Sequence, residues 1–145
     1  MPARTDQIAA EMSYLMPTFL MNMFPFVFEP MKMPPRQVLA CICIEERNGC
    51  TLGDLARDLH VSAPTVTGII DRLQRDGFVK RSPGETDRRV VNVTLTQKGR
   101  AIPQKLRENI QKRWTHILNR LPEDMREAPL SMVRQITQRF KDGSI

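Results

Sequence analysis

The sequence predicts a mainly α-helical fold with one small antiparallel β-sheet, on three observations. Apolar residues recur at steps of three and four through most of the 145 residues, which is the spacing of one face of an α-helix. Between residues 78 and 95 the pattern changes to alternation, which is typical of a two-stranded hairpin. Prolines and glycines lie where these segments should begin and end.

The beginning of the chain predicts two helices separated by an irregular stretch. A first helix should cover about residues 4–24 and end at Pro25, because proline cannot donate the next helical hydrogen bond. The chain should then be irregular up to residue 33. Pro34 and Pro35 favour the start of a second helix, since the first turn of a helix needs no N–H partner. The buried stripe of this second helix is predicted to be Val38, Leu39, Ile42 and Cys43.

The middle segment, residues 51–77, predicts two short helices joined by a tight turn. Residues 51–52 are expected to form an edge strand, and Gly53 should cap the next helix. Ser62 should cap the second helix through its hydroxyl, and Gly77 should end it in a left-handed conformation. The inward stripe of this second helix follows helical spacing: Val66, Ile69, Ile70 and Leu73.

The remaining chain predicts a hairpin and two more helices. The hairpin strands enclose a turn-rich loop at residues 83–88. Thr96 should cap a long helix by accepting from the backbone of Gly99. A last helix should begin at Pro122 and bend at Pro129. Its apolar stripe is predicted to be Met125, Leu130, Val133, Ile136 and Phe140.

Two helices joined by a tight turn and followed by a basic hairpin form a winged helix-turn-helix. Such a unit holds its second helix in a DNA major groove and a loop beside it. The distribution of charge is consistent with DNA binding by this unit. The formal net charge of +6 divides into −1 over residues 1–50 and +7 over residues 51–145. A basic surplus favours an anionic partner, so the sequence predicts double-stranded DNA.

The chain resembles the MarR family of bacterial regulators, and the resemblance extends over nearly its whole length. The most specific part is the wing, where Asp-x-Arg at 87–89 precedes a strand ending Leu-Thr at 95–96 and a glycine three residues later. The sequence departs from the family at Gly68, where many relatives carry a longer residue, and at His60, where glycine is frequent. The other matching segments are LARDL at 55–59, SAPTVT at 62–67, DRL at 71–73 and DG at 76–77.

The resemblance implies a dimer that binds DNA through the start of the second helix of the motif and through the wing. Asp87 should brace the wing by pairing with Arg89, because a free carboxylate there would repel DNA. Short hydroxyl side chains let a helix approach base edges closely, and an arginine at the wing can enter a minor groove. The DNA-binding residues implied are Ser62, Pro64, Thr65, Thr67, Arg72, Arg88 and Arg89.

The helices at the two ends of the chain carry apolar stripes that the compact middle does not need, which predicts a homodimer. The chain then divides into an N-terminal dimerisation segment at 1–33, a DNA-binding lobe at 34–96 and C-terminal dimerisation helices at 97–145. A two-fold dimer also matches two half-sites of a palindromic operator.

Methionines and aromatic residues crowd the first helix, and two interpretations stay open for them. They could line a pocket for a small apolar or aromatic effector, since such side chains suit adaptable apolar binding, or they could form the dimer core. The residues concerned are Tyr14, Phe19, Met23, Phe24 and Phe26.

The three cysteines, Cys41, Cys43 and Cys50, favour a reducing cytoplasm, because their number is odd and no secretory leader precedes them. Buried small side chains are the default for them, with Cys50 expected to be the more exposed thiol and the candidate for redox sensing. The sequence predicts no metal site, no cofactor and no membrane segment. It also lacks a nucleophile with a base, so no enzyme is expected.

The sequence as a whole therefore predicts a cytoplasmic MarR-type transcriptional regulator. It is expected to act as a repressor that binds a palindromic operator as a homodimer, with release by a small aromatic ligand. The alternatives are a winged-helix module that binds protein, an architectural protein that binds DNA without sequence preference, and a cysteine-based redox regulator. A protein-binding module would expose an apolar or acidic face on the second helix, whereas threonine, glycine and arginine stand there.

Overall fold

The computed structural model describes residues 3–145, and over this range the chain forms six α-helices and a three-stranded sheet. The sheet is antiparallel with the order β1-β3-β2, so the predicted fold class is confirmed. Met1 and Pro2, with which the predicted N-terminal segment begins, lie outside the described residues. In chain order the elements are α1 (Arg4–Phe28), α2 (Pro35–Glu46), β1 (Cys50–Thr51), α3 (Leu52–Asp58), α4 (Ala63–Arg75), β2 (Val79–Pro83), β3 (Val91–Leu95), α5 (Gln97–Leu118) and α6 (Ala128–Asp142).

The chain divides into two compact units, one ending at Ile110 and one running from Gln111 to Ile145. The first unit contains α1 to α4, the sheet and the start of α5. The second contains the rest of α5 and α6. None of the described helices is long and apolar enough to cross a membrane.

The main core of the first unit lies between α2, α3, α4 and the sheet. All four residues of the stripe predicted for α4 are buried, which confirms that prediction. Leu55 of α3 and Val93 of β3 are fully buried in the same cluster. Removing one such side chain from water contributes about 1.5–3 kcal/mol to stability. The position of α4 is therefore set by its packing, which leaves its opposite face free for other contacts.

The prediction for the inner face of α2 was wrong in part. Val38 is buried, but Leu39 is 40% exposed, and Cys41 and Ile44 are buried in its place. The reason is that α2 packs against two clusters. Cys41 and Ile44 belong to the main core, whereas Val38 joins a second cluster with Val27, Met31 and Leu106. A helix that packs against two clusters buries more than one stripe of its surface. Leu39 belongs to neither cluster.

The first helix does not end at Pro25 as predicted. It continues through Pro17 and Pro25 to Phe28, and a 3₁₀ turn at Glu29–Met31 follows where an irregular stretch was expected. A proline inside a helix removes one hydrogen bond and crowds the preceding turn. Here the second cluster offsets that cost, because Val27 is buried in it and the Asn109 side-chain amide donates to the Val27 carbonyl at 3.2 Å.

Thr51, and not Gly53, caps α3. The Thr51 hydroxyl accepts from the Asp54 backbone at 3.1 Å, and the Asp54 carboxylate accepts from the Thr51 backbone at the same distance. This reciprocal capping box satisfies two N–H groups that a glycine could not. The edge strand is accordingly Cys50–Thr51, one residue earlier than predicted, and Leu52 is already helical.

In the second unit the last helix begins later than predicted. Glu123–Met125 forms a separate 3₁₀ turn, and α6 begins at Ala128, so Pro129 lies in its first turn instead of bending it. The reason is that the missing N–H of proline costs nothing in a first turn. All the side chains of the predicted stripe are exposed in the single chain: Met125, Leu130, Val133, Ile136 and Phe140.

The start of α5 is fixed to the turn between α4 and β2 by backbone contacts. The Thr96 hydroxyl accepts from the Gly99 N–H at 3.1 Å, as predicted, and donates to the Gly77 carbonyl at 2.6 Å. Gly77 itself has a φ of 82° and ends α4 in the predicted left-handed conformation. A Cβ added to Gly99 would lie only 2.0 Å from the Phe78 carbonyl oxygen. Only a glycine therefore lets the two backbones meet here.

Replacing Gly99 by alanine should lower the free energy of unfolding by about 1–3 kcal/mol, because the backbone must move to admit the methyl group. Gly68→Ala is the matched control, since Gly68 is also helical but an added Cβ there meets nothing within 4 Å. The control should be neutral or stabilise by up to about 1 kcal/mol. Urea unfolding midpoints at one protein concentration measure both, and equal midpoints for Gly99→Ala and the unmodified chain would contradict the proposed constraint.

Candidate nucleic-acid interface

The first turn of α4 presents three short hydroxyl side chains. The Ser62 hydroxyl accepts from the Thr65 backbone at 3.3 Å and lies 2.9 Å from the Thr65 hydroxyl. The Thr67 hydroxyl donates to the Ala63 carbonyl at 3.0 Å. Ser62, Pro64 and Thr67 are exposed, and Thr65 is half-buried. Each hydroxyl keeps further hydrogen-bonding capacity, and the positive end of the helix dipole lies beside them.

Arg72 lies on the exposed side of α4, about three turns after the cap. It forms no ion pair with any residue in the range 3–145, whereas Arg75 pairs with its neighbour Asp76 at 3.3 Å. An arginine without an acidic partner is available to a phosphate, which it can bind through two parallel N–H groups. The two arginines of the helix therefore differ in how free their charge is.

The wing is the hairpin of β2 and β3 with its tip at residues 84–90. The Gly84 N–H donates to the Val90 carbonyl at 2.7 Å, which closes the tip. Asp87 accepts from the Arg89 N–H at 3.0 Å, and the same oxygen lies 3.5 Å from Arg89 Nε. The Arg89 side chain is nevertheless 95% exposed. The carboxylate thus orients Arg89 without burying it, and Arg88 at the same tip is also exposed.

Arg81 is a site residue that the sequence reasoning missed. It lies on β2 opposite Val93, and its guanidinium binds both Asp71 and Gln74 on α4. The available signal was alternation: Val79 is buried, so Arg81, two residues later in a strand, lies on the same side of the sheet. The carboxylate of Asp71 on α4 is therefore already paired with Arg81.

A cleft of about 620 Å³ lies between the start of α2 and the exposed side of α4. Its walls combine apolar and polar groups. Pro34, Pro64 and Ile69 supply apolar surface, and Gln37 is a polar residue only 6% exposed. Two cations, Arg36 and Arg72, complete the lining. A flat apolar acid fits such a combination, because ring and carboxylate each find a partner.

The aromatic residues of α1 that the sequence offered for an effector pocket or a dimer core are largely exposed in the single chain. Tyr14 is 84% exposed, and Phe19, Phe24 and Phe26 are between 40% and 57% exposed. Met23 is half-buried. The reason is that these side chains lie on several sides of one long helix, so they do not converge on a common space. A pocket that includes them requires a second molecule.

Cys50 is not the exposed thiol that the sequence suggested. It lies on β1 opposite Val93 and is only 5% exposed, because this strand faces the core. Burial raises the pKa of Cys50 to about 12 and that of Cys41 to about 12. Cys43 is half-buried, and burial with the nearby charge of Asp58 raises its pKa to about 11. Nothing here favours a thiolate at neutral pH. Among the described residues no group of metal-ligating side chains comes together.

The family model described as "MarR family" matches residues 33–91 of this chain. The chain is similar to the uncharacterized HTH-type transcriptional regulator YwhA of Bacillus subtilis, with 27% identity over 95 residues that cover 66% of this chain and 68% of the relative. It is also similar to the transcriptional activatory protein BadR of Rhodopseudomonas palustris, with 51% identity over 55 residues. That match covers 38% of this chain and only 31% of BadR.

Solved structures share the fold. A MarR family protein from Bacillus stearothermophilus superposes with a TM-score of 0.80 at 23% identity, covering 94% of this chain and 97% of the other. An S. aureus MepR mutant bound to an oligodeoxyribonucleotide gives 0.67 at 20% identity, covering 88% and 96%. Bordetella bronchiseptica BpsR, whose DNA binding is regulated by 6-hydroxynicotinic acid, gives 0.66 at 21% identity, covering 94% and 98%.

The three thiols should react slowly in the folded protein. With pKa values of about 11 to 12, the thiolate fraction at pH 8 lies on the order of 100-fold or more below that of an exposed thiol. A chromogenic disulfide reagent should therefore label the native chain at least about 100-fold more slowly than the urea-unfolded chain, which is the control. One native thiol reacting at the unfolded rate would restore the redox interpretation.

Proposed function

Because this chain belongs to the MarR family of helix-turn-helix transcriptional regulators, we propose that it represses transcription by binding a palindromic operator as a homodimer. The observation that carries the proposal is the joint exposure of two DNA-complementary elements. The hydroxyl-bearing start of α4 and the arginines of the wing both belong to the first unit, and both present polar groups to solvent.

The proposed contacts follow from the chemistry of each group. Ser62 and Thr65 would hydrogen-bond with base edges or phosphates in the major groove, with Pro64 packing beside them. Thr67, whose hydroxyl proton goes to the Ala63 carbonyl, would accept from a base edge. Arg72 would bind a phosphate. Arg88 and Arg89 would lie in or beside the minor groove, with Asp87 holding Arg89 in place, because the narrow groove concentrates negative potential. The surplus of basic residues after residue 50 supports the same partner.

The proposed dimer rests on apolar surface that a single chain leaves exposed. Leu15, Leu20 and Phe24 of α1 are each at least half exposed, as is Phe140 of α6. Exposed stripes of this size on helices favour burial against an identical surface. We assign residues 1–33 and 97–145 to dimerisation and residues 34–96 to DNA. Two lobes related by a two-fold axis would read half-sites about one helical turn, ~10 bp, apart.

We further propose that a small aromatic acid releases the DNA, and that it binds in the cleft between α2 and α4. Arg36 and Arg72 would pair with the carboxylate, while Pro34, Pro64 and Ile69 would contact the ring. Arg72 and Thr65 line the same cleft, so an occupant competes directly with the proposed DNA contacts. The ligand then binds the DNA-free protein more tightly than the DNA-bound protein. Such a difference in affinity between the two states is what any effector needs. BpsR, which is regulated by 6-hydroxynicotinic acid, supports this choice of chemistry.

The name of BadR supports activation as a second candidate for the sign of regulation, because it describes a transcriptional activatory protein. A reporter under the protein's own promoter separates the two, since repression predicts more expression and activation predicts less when the gene is deleted.

DNA binding is tested by mobility shifts with the protein's own upstream region and a scrambled duplex at several salt concentrations. We expect tight binding to the first and weak binding to the second. Arg89→Ala should weaken operator binding about tenfold and reduce the slope of log K against log salt by about 0.9, because one phosphate-type contact is lost. Lys105→Ala is the control, since Lys105 is an exposed cation on α5. Equal weak binding to both duplexes would favour an architectural role, and no binding would favour a protein partner.

Effector binding is tested by calorimetry with 6-hydroxynicotinic acid and the DNA-free protein. Arg36→Ala should weaken its binding about tenfold, because a charge-assisted hydrogen bond is lost, while Lys105→Ala should leave it unchanged. If the acid binds equally well to Arg36→Ala, the cleft is not its site. If it binds neither protein, the proposed ligand class is wrong.

A further inference from the structure

Arg81 joins the wing to α4, the helix proposed to read DNA and called the reading helix below, across the turn between them. Its Nη2 donates to Asp71 Oδ1 at 2.6 Å, and its Nη1 donates to Gln74 Oε1. Asp71 and Gln74 are three residues apart on α4, so they lie on the same face of the helix, one turn apart. The planar guanidinium can bind both at once, which a lysine ammonium at the same place could not do with fixed geometry.

Arg81 differs from the wing arginines in its surroundings. Its side chain is 26% exposed, against 95% for Arg89 at the tip. Its position in the strand, two residues after the buried Val79, turns it toward α4 and away from the tip. Arg81 thus uses its charge inside the lobe, whereas the tip arginines present theirs to solvent.

On the other side of the hairpin, β3 pairs with β1 at Cys50–Val93 and Thr51–Asn92. Further contacts of the hairpin lie at its base. Thr96 and Lys98 hold the turn that begins it: the Thr96 N–H donates to the Phe78 carbonyl at 3.0 Å, and Lys98 Nζ donates to the Asp76 carbonyl at 2.7 Å. Lys98 also lies 4.6 Å from the centre of the Phe78 ring. Arg81 lies farther along β2, toward the tip, where these contacts no longer act.

We infer that Arg81 is a positioning residue, which fixes the angle between wing and reading helix so that both reach the same operator at once. This inference rests on the proposed DNA-binding function. It assigns Asp71 and Gln74 to the lobe's own structure and not to base recognition. It also explains how an acidic residue is tolerated on a helix that faces DNA, because its charge is offset by Arg81.

Asp71→Asn gives a test in which positioning and simple electrostatics predict opposite signs. Removing a negative charge near DNA should by itself strengthen binding to every duplex. Loss of positioning should instead weaken operator binding by about threefold to tenfold and leave the scrambled duplex unaffected or bound more tightly. Asp76→Asn is the matched control, since Asp76 follows the same helix and, within residues 3–145, its carboxylate forms an ion pair only with the adjacent Arg75. Equal strengthening on both duplexes by both variants would overturn the inference.

A measurement without DNA separates this inference from the proposed function. Amide hydrogen exchange of β2 in the full chain should be about threefold to tenfold faster in Asp71→Asn and in Arg81→Gln than in the unmodified protein, and unchanged in Asp76→Asn. The double variant Asp71→Asn with Arg81→Gln should be no faster than Arg81→Gln alone, because Arg81→Gln already removes the contact to Asp71. Unchanged exchange rejects the positioning role even if operator binding is confirmed. Faster exchange in a protein that does not discriminate between duplexes rejects the proposed function alone.

Arg81→Lys separates positioning from a phosphate contact by Arg81 itself. A lysine keeps the charge, so a direct phosphate contact would survive with the same salt dependence and little loss of affinity. A positioning role predicts lower operator affinity with an unchanged salt slope, because the two-pronged contact to Asp71 and Gln74 is lost. A slope reduced by about 0.9 in Arg81→Gln would show that Arg81 binds phosphate and overturn the assignment.

Discussion

The backbone contact between Gly99 and Phe78 is the constraint on which the DNA-binding lobe depends. It brings the first turn of α5 against the turn that connects α4 to the wing, so that three elements meet at one place. The Thr96 hydroxyl reinforces the contact by bonding to Gly77 and Gly99 at the same time. The reading helix α4 and the first wing strand β2 diverge from this turn, so the contact holds the point at which the angle between them is set. The threonine of the Leu-Thr pattern at 95–96 and the glycine three residues later thus each have a physical role in this contact.

The sequence predicted best where one face of a helix meets one core. The α4 stripe, its serine cap and its glycine end are all present, because spacing, capping and a left-handed stop are local properties. His60 at the preceding turn has a φ of 54°, a conformation that histidine tolerates better than most residues. Predictions failed where distant contacts decide the outcome. Whether α1 continues past Pro25 depends on Asn109 and the second cluster, which no local pattern reveals.

The candidate site shows the same division. The exposed hydroxyls of α4 and the tip arginines could be found from the sequence, because they lie in short segments with recognisable spacing. The role of Arg81 could not, since it depends on the approach of β2 to a face of α4 seven to ten residues earlier. The burial of Cys50 likewise depends on the pairing of β1 with β3.

The open space around Gly68 gives this surface a capacity for change. The position lies on the reading helix, and a Cβ added there would meet nothing within 4 Å. The residues of the inner face of α4, by contrast, are held by their packing. A single codon change at position 68 could therefore add a base-contacting group without a compensating change elsewhere in the lobe. In a duplicated gene, the two copies could diverge in their target promoters through this one residue while both stay folded.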